Sequence, residues 1–379
     1  MIYDILVDIF YNIYSKNDLC HISCVSWLWN TACMDSVSYQ ALQFVSNKNV
    51  HYWFGFRLAC SSGELKIAKW IYERYPIDNN EAFRSFECAC GSGHFHIVQW
   101  LYLVFNLNKL ACFQCACNSG QLNIAKWLYE IDPVSKKDIL RMDMYALRYA
   151  CENGHLFIVQ WLWDIFQFEN FDTYPLYLCF QSAAENGHLE ILQYFHLKMN
   201  VSKTFICLQD NYIFKVSCSK GYLNVVEWLH KTFQFTNAEI RRDNNRLLQH
   251  ICKGGHLGVV KWLHKTFYFT TEEIRGLNRE ILCLVCMGKH LHILKWLYKT
   301  FDLTFDDINY VDNTGNCALD LACERGHISV VRWACKKFKS NLSSNRMNRF
   351  IGIAFDYKQM EVAMYLIKLS GFVRIRNPN

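Results

Sequence analysis

A thirteen-residue phrase that returns ten times along the chain restricts its fold more than any other feature. It reads "CSSGELKIAKWIY" from Cys60, "CENGHLFIVQWLW" from Cys151, "CKGGHLGVVKWLH" from Cys252 and "CERGHISVVRWAC" from Cys323. The turn residue of each copy falls at Gly63, Gly93, Gly120, Gly154, Gly187, Gly221, Gly255, Lys289, Gly326 and Lys358. After that residue, positions two, four, five, seven and eight are apolar, as in Leu257, Val259, Val260, Trp262 and Leu263, which is the stripe of an amphipathic helix. A small residue before the turn and an apolar stripe after it describe a first helix, a tight turn and a second helix. One such unit cannot bury its stripe alone. Stacked units cover one another, so the pattern predicts an all-α solenoid of about ten repeats.

The phrase "GHLxIVKWL" and a period near 33 residues resemble the ankyrin repeat. The opening of the first helix in that family, "TPLH", is kept only in part. In "DNTGNCALDLACERGHISVV", Asp312, Gly315 and Leu319 stand in register, but Cys317, Ala318 and Asp320 replace the threonine, proline and histidine. The first turn and its bonds to the neighbouring loop must therefore be made by other groups. A tryptophan column where the family has leucine predicts a wider core or an aromatic ladder along the spine, with Trp161 packing on the next repeat. Between repeats, Thr236 with Glu239, Thr270 with Glu273 and Thr304 with Asp307 have capping-box spacing, which predicts a short extra helix in each connection. The repeats are expected to fill residues 46–379. The last copy, about 343–370, has lost its glycine, histidine and tryptophan and reads as a C-terminal cap.

Residues 1–45 do not fit the template. Apolar positions Ile5, Leu6, Ile9, Phe10 and Ile13, a turn at Ser15 to Asp18, and then Leu19, Ile22, Val25 and Trp29 predict two or three short helices. This segment resembles an F-box, matching it at Asp4, Ile5, Leu6, Ile9, Phe10, Ile13, Asp18, Leu19, Val25 and Trp29. Met1 and Ile2 stand where the family has Leu-Pro, and Ser26 replaces its cysteine. The resemblance implies that Ile5, Leu6, Ile9, Phe10, Leu19, Val25 and Trp29 dock a Skp-type adaptor of a cullin-RING ubiquitin ligase. A plain N-terminal cap would show a similar stripe, and the two readings stay open at this point.

Cysteine and histidine invite a chemical reading. Cys112, Cys115 and Cys117, with Cys88 and Cys90 one repeat earlier, could supply thiolates to zinc, and Cys283 with Cys286 repeats the two-residue gap. Cys90 and Cys117, however, occupy one template column with Cys60, Cys151, Cys218, Cys252, Cys286 and Cys323, where a small buried thiol is ordinary. His94, His155, His188, His256, His290 and His327 likewise share the place after the turn, which predicts a turn hydrogen bond or a helix cap. Catalysis needs one residue made special, and no phosphate-cradling loop, GxSxG or HExxH is present. No catalytic residue, metal or cofactor is expected.

Composition agrees with a packed helical protein: apolar residues reach 52%, while Pro (4) and Gly (17) are too few for a disordered chain of 379 residues. The apolar run "IVQWLYLVF" (Ile97 to Phe105) is far short of the roughly 20 residues of a membrane span. Asp4 and Asp8 interrupt what would be a signal sequence, and an odd number of cysteines, 19, favours reduced thiols, so an intracellular protein, cytoplasmic or nuclear, is expected. From Gly221 to Thr300 there are 12 Lys and Arg against 6 Asp and Glu, an excess that suits an acidic partner but is too diffuse to indicate nucleic acid. Template-breaking Arg241, Arg242, Arg246, Arg275 and Arg279 are the candidate contacts to a target protein. The expected function is a monomeric, non-enzymatic recruiting module: the F-box-like segment holds the adaptor and the repeats hold the target. The alternative is a ligase-independent scaffold or inhibitor. The combination resembles proteins of giant DNA viruses of amoebae, which would make the target a host protein.

Overall fold

The computed structural model describes residues 52–141, 144–168, 173–242, 246–276, 280–311 and 315–370. The F-box-like segment with its seven adaptor-contact candidates, and Arg279, lie outside the described residues. The chain divides into two compact units between Pro175 and Leu176. Among the described residues the secondary structure is helical throughout, without a strand.

In the first unit the helices are α1 (Tyr52–Ser61), α2 (Leu65–Arg74), α3 (Asn79–Gly91), α4 (Phe95–Val104), α5 (Lys109–Asn118), α6 (Leu122–Ile131), α7 (Lys136–Arg141), α8 (Tyr145–Glu152) and α9 (Leu156–Phe166). The body of α10 (Thr173–Glu185) opens the second unit. It is followed by α11 (Leu189–Met199), α12 (Lys203–Ile206), α13 (Leu208–Lys220), α14 (Leu223–Phe233), α15 (Asn237–Arg241), α16 (Arg246–Gly254), α17 (Leu257–Phe267) and α18 (Thr271–Gly276). The chain continues through α19 (Glu280–Met287), α20 (Leu291–Thr300), α21 (Phe305–Ile308), α22 (Ala318–Glu324), α23 (Ile328–Lys337), α24 (Ser344–Asp356) and α25 (Met360–Ser370). First helices pack on first helices: α1, α3, α5 and α8 form one row in the first unit, and α13, α16, α19, α22 and α24 another in the second.

The turn residue ends each first helix because it takes the left-handed conformation that lets the next N–H return to the helix. At Gly93, φ is +75° and the following His94 N–H donates to Ala89 O at 2.9 Å, closing the orphan carbonyls of α3. Lys289 and Lys358 adopt the same left-handed conformation, at φ +63° and +59°, despite their Cβ atoms, so the repeat geometry overrides the residue type. In the second helices the residues four, five and eight after the turn form the core, as Val259, Val260 and Leu263 do in α17. The cysteine column is fully buried from Cys60 to Cys323, with Ala184 taking its place in one repeat. Among the described residues every cysteine is a thiol.

The predicted short helices in the connections are present as α15, α18 and α21. Thr236 N–H donates to Glu239 Oε2 at 2.7 Å and Glu239 N–H donates back to Thr236 Oγ1 at 3.3 Å; Thr270 with Glu273 repeats the arrangement at 2.7 and 3.2 Å. The altered opening of α22 is closed in the same way by unusual groups. Cys317 N–H donates to Asp320 Oδ2 at 2.9 Å, and Asp320 N–H donates to the Cys317 sulfur at 3.4 Å. Asp320, only 1% exposed, is then held by Arg349 Nε at 3.0 Å, which supplies the bond to the neighbouring repeat that a family histidine would have made.

The last helix pair differs from the others. Phe355 stands in the cysteine column, where its counterparts are fully buried, yet it is 44% exposed, and Tyr357 and Met360 beside it are exposed too. No described helix covers that end of α24 and α25 as α22 and α23 are covered.

Candidate interaction surface

Within the units three sets of contacts tie repeats to the ones before them, and they decide which sequence candidates remain available to a partner. The first set uses the histidines after the turn. His155 occupies the N-cap position of α9 without a side-chain cap bond; its Nε2–H instead donates to Asn118 O of the preceding repeat at 3.0 Å. His94 donates to Ser61 O at 3.0 Å, His290 to Lys253 O at 2.8 Å and His327 to Met287 O at 2.7 Å. Of the two roles expected for this column, the helix cap is therefore corrected and the turn bond is found, but between repeats rather than within one. The imidazole also fills the space over the preceding turn. A Cβ at Gly120 would lie 2.6 Å from His155 Cε1, and one at Gly255 would lie 2.5 Å from His290 Cε1. The glycine column is thus fixed twice, by its φ and by its neighbour's ring.

The second set is aromatic. Tyr129 meets Trp161 edge to face at 5.9 Å between ring centroids and Phe166 at 5.9 Å. His230 meets Trp262 at 5.5 Å and Phe267 at 5.3 Å; His264 meets Trp296 at 5.7 Å and Phe301 at 5.0 Å; Tyr298 meets Trp333 at 5.7 Å and Phe338 at 5.6 Å. Such pairs add to simple area burial. The ladder follows the tryptophan column, and Trp161 is packed by Tyr129 of the preceding repeat. The residue two places after the tryptophan reaches forward at Tyr129, His230, His264 and Tyr298. The tryptophans remain half-buried at the edge of the core.

The third set consumes two of the arginine candidates, Arg241 and Arg275. Arg241 Nε donates to Glu273 Oε1 at 2.5 Å, its Nη2 donates to Phe267 O at 2.9 Å, and its guanidinium lies 4.9 Å from the Phe269 ring centre. Arg275 pairs with Asp307. One repeat earlier, Lys203 Nζ reaches Glu239 Oε2 at 3.0 Å. Glu239, Glu273 and Asp307 are the capping-box acids, so each acid closes its own helix and anchors the base of the repeat before it. Burial alone would raise the Glu239 carboxyl, but the Thr236 N–H and Lys203 hold it below the usual range. Arg242 sits on the outside, 3.1 Å from Asp210, which stands in a left-handed turn at the start of α13. Arg246 is exposed at the start of α16. The double role of the acids was not anticipated, although the spacing from Arg241 to Glu273 and from Arg275 to Asp307 is one repeat and could have revealed it.

The chemistry of the cysteine column is suppressed by the same packing. Burial pushes the column thiols of Cys60 and Cys117, and that of Cys112 earlier in the same helix as Cys117, far above their ordinary range and that of Cys252 up to about 12, so none of the four offers a thiolate near neutral pH. His94, His155, His290 and His327 commit Nε2 to backbone carbonyls, which leaves one ring nitrogen of each for other chemistry. Among the described residues no three His, Cys, Asp or Glu side chains gather as a metal would require. Nor, among the described residues, is any helix long and apolar enough to cross a membrane.

A family model of ankyrin repeats matches the chain in three copies, at residues 86–173, 112–200 and 248–348, together more than half its length. None of the curated proteins compared with the chain matches it. The left-handed turn, the paired helices and the bonds from each turn to the next are what this family builds from its period, and such repeats serve as protein-protein interaction modules. The chain belongs to the ankyrin-repeat family.

Proposed function

We propose that this protein is a non-enzymatic recruiting module that works inside the cell: its repeats hold a target protein while residues 1–45 dock a Skp-type adaptor of a cullin-type ubiquitin ligase. The observation that carries the non-enzymatic part is the commitment of turn histidines, column thiols and the bases of the connections to the stack. Turn histidines donate to backbone carbonyls, column thiols are buried, and Lys203, Arg241 and Arg275 are ion-paired between repeats. The adaptor part is supported by the ten F-box-like positions from Asp4 to Trp29. Arg242 and Arg246 are the candidate target contacts that stay on the surface, the division at residue 45 and the capping role of 343–370 belong to the same proposal, and a viral origin would make the target a host protein.

Affinity purification of the full chain with the adaptor tests the reading. Recovery of a Skp-type adaptor that is lost when Ile9 and Val25 are changed to charged residues supports it. Failure to recover the adaptor, or recovery unaffected by those changes, replaces it with the ligase-independent scaffold.

A further inference from the structure

The second helices of the second unit carry an uncompensated basic face. In the second helices of this unit the residues three, six and ten places after the turn residue lie toward the outside, although His292, in the first of these columns, bonds back to Gly255 O at 3.0 Å. In α17, α20 and α23 the latter two columns hold Lys261, Lys265, Lys295, Lys299, Arg332 and Lys336, all exposed. The three helices are neighbours in the stack, since His264 of α17 packs on Trp296 of α20 and Tyr298 of α20 packs on Trp333 of α23. Lys261, Lys295 and Arg332 each immediately precede one of these stacked tryptophans, so they form one row, and the other three form a second row beside it.

No acid lies anywhere in these three helices, whereas the helices on either side bear Glu227 and Glu361. Like charges four residues apart, as Lys261 and Lys265 or Lys295 and Lys299 are, oppose helix formation. The negative C-terminal end of each helix helps the second row but not the first, which lies in mid-helix. In the connections and first helices of this unit, by contrast, Lys203, Arg241, Arg275 and Arg349 all have carboxylate partners. The six on this face have none among the described residues; Arg332 alone is engaged, over the Tyr365 ring at 5.3 Å. A face that stays positive at a cost to its own helices is complete only when an external anion covers it.

We propose that this face binds an acidic segment of a partner protein, a reading that rests on the repeats being a protein-binding module and names the chemistry of what they take. Helices pack about 10 Å apart, and an extended chain advances about 3.3 Å per residue. A carboxylate at every third residue of a strand laid across the helices therefore meets each row in turn. Five of the six cations are lysines, point charges suited to carboxylates, and the third outward column offers Gly258, Ser329 and a single ring, His292, which is bonded back to Gly255 O at 3.0 Å, where a row of rings would be needed to stack successive bases. The face therefore fits an Asp/Glu-rich peptide better than a nucleic acid.

The probe is a labelled extended peptide of about twelve residues with glutamate at every third position, compared with its glutamine counterpart and with oligothymidylate, using fluorescence anisotropy on the full chain at low salt. The glutamate peptide should bind at least tenfold more tightly than the glutamine one. The triple variant Lys261→Glu, Lys295→Glu, Arg332→Glu should abolish that preference, and added salt should weaken it. The neutral triple Lys261→Gln, Lys295→Gln, Arg332→Gln should reduce it several-fold, which keeps the test readable should the reversed variant fail to fold. Lys66→Glu with Lys126→Glu, in the first unit, should leave it unchanged. Equal binding of the two peptides, equal loss in the control variant, or tighter binding of oligothymidylate through the same row would overturn the proposal. A target protein captured equally by wild type and the neutral triple would also overturn it, while leaving the protein-binding reading of the repeats intact; loss of all target capture would sink that reading instead.

Discussion

Arg275 meets Asp307 of the following repeat through two side-by-side bonds, Nε to Oδ1 at 3.0 Å and Nη2 to Oδ2 at 3.1 Å, while Asp307 Oδ2 also accepts the Thr304 N–H at 2.8 Å. Asp307 is 3% exposed, so this carboxylate has little water to fall back on. Removing its cation strands a buried charge, a loss larger than the pair's net worth. Arg275→Ala should cost about 2 kcal/mol, less than a fully buried pair because the guanidinium itself is partly solvated. Asp307→Ala should cost more, since it also opens the capping box. Urea unfolding of both variants checks the order; Asp307→Ala equal to or milder than Arg275→Ala would show that the acid does not serve two helices.

The contact between turn glycine and following histidine predicts a coupling. Gly255→Ala adds a methyl into the His290 ring at 2.5 Å and places it on a backbone at φ +84°. Strain at a left-handed non-glycine residue costs about 1–2 kcal/mol, and the clash adds to it. Removing the ring with His290→Ala should relieve the clash and leave the strain, so the double variant should be more stable than the sum of the singles by about 1 kcal/mol. Additive effects in a double-mutant cycle would mean that the ring moves aside without resistance.

The sequence shows the period, the turn and the three capping boxes because each is local: Gly120, or Thr270 with Glu273, acts within a few residues of itself. What it does not show is the direction of stacking. Whether Trp161 faces forward or back depends on how one helix pair sits on the next, and the structure places Tyr129 against it from behind. Arg241 was read as a surface contact for the same reason; its acid, Glu273, is a full repeat away, and the residues alone do not say that these columns touch. His155 was ambiguous between cap and turn bond because both roles need the same position, and only the distance to Asn118 O separates them.

Acid should loosen the second unit. His230 is held below its ordinary 6.5 by burial first and then by Lys203, with Trp262 and Phe267 as its ring neighbours and Nδ1 buried without a partner. His256 is lowered by burial and by His290, against the opposing bond to Ser219 O. A histidine whose folded value is depressed keeps its stabilising contribution above the unfolded value near 6.5 and loses it as the pH falls below that, because the unfolded chain takes up the proton first. The unfolding midpoint should therefore drop as the pH falls below about 6.5. His230→Tyr should flatten part of that slope, Tyr298 being the residue that already fills this column two repeats further on. An unchanged slope would assign the pH dependence to other groups.

The cysteine column yields a last test, since burial rather than chemistry defines it. The Cys252 thiol is fully buried and pushed up to about 12, so thiol reagents at mildly alkaline pH should modify it only as fast as the chain opens. Its rate of modification should rise in proportion to the unfolded fraction as urea is added. Cys252→Ala should cost about 1 kcal/mol, the loss of one small buried group, in keeping with Ala184 at the same place in another repeat. Cys252→Ser should cost more, about 1–3 kcal/mol, because a hydroxyl brought into that column loses its water without gaining a partner. Rapid modification of the folded protein, or a serine variant as stable as the alanine one, would mean that the column is open to solvent and that its thiols are available for chemistry after all.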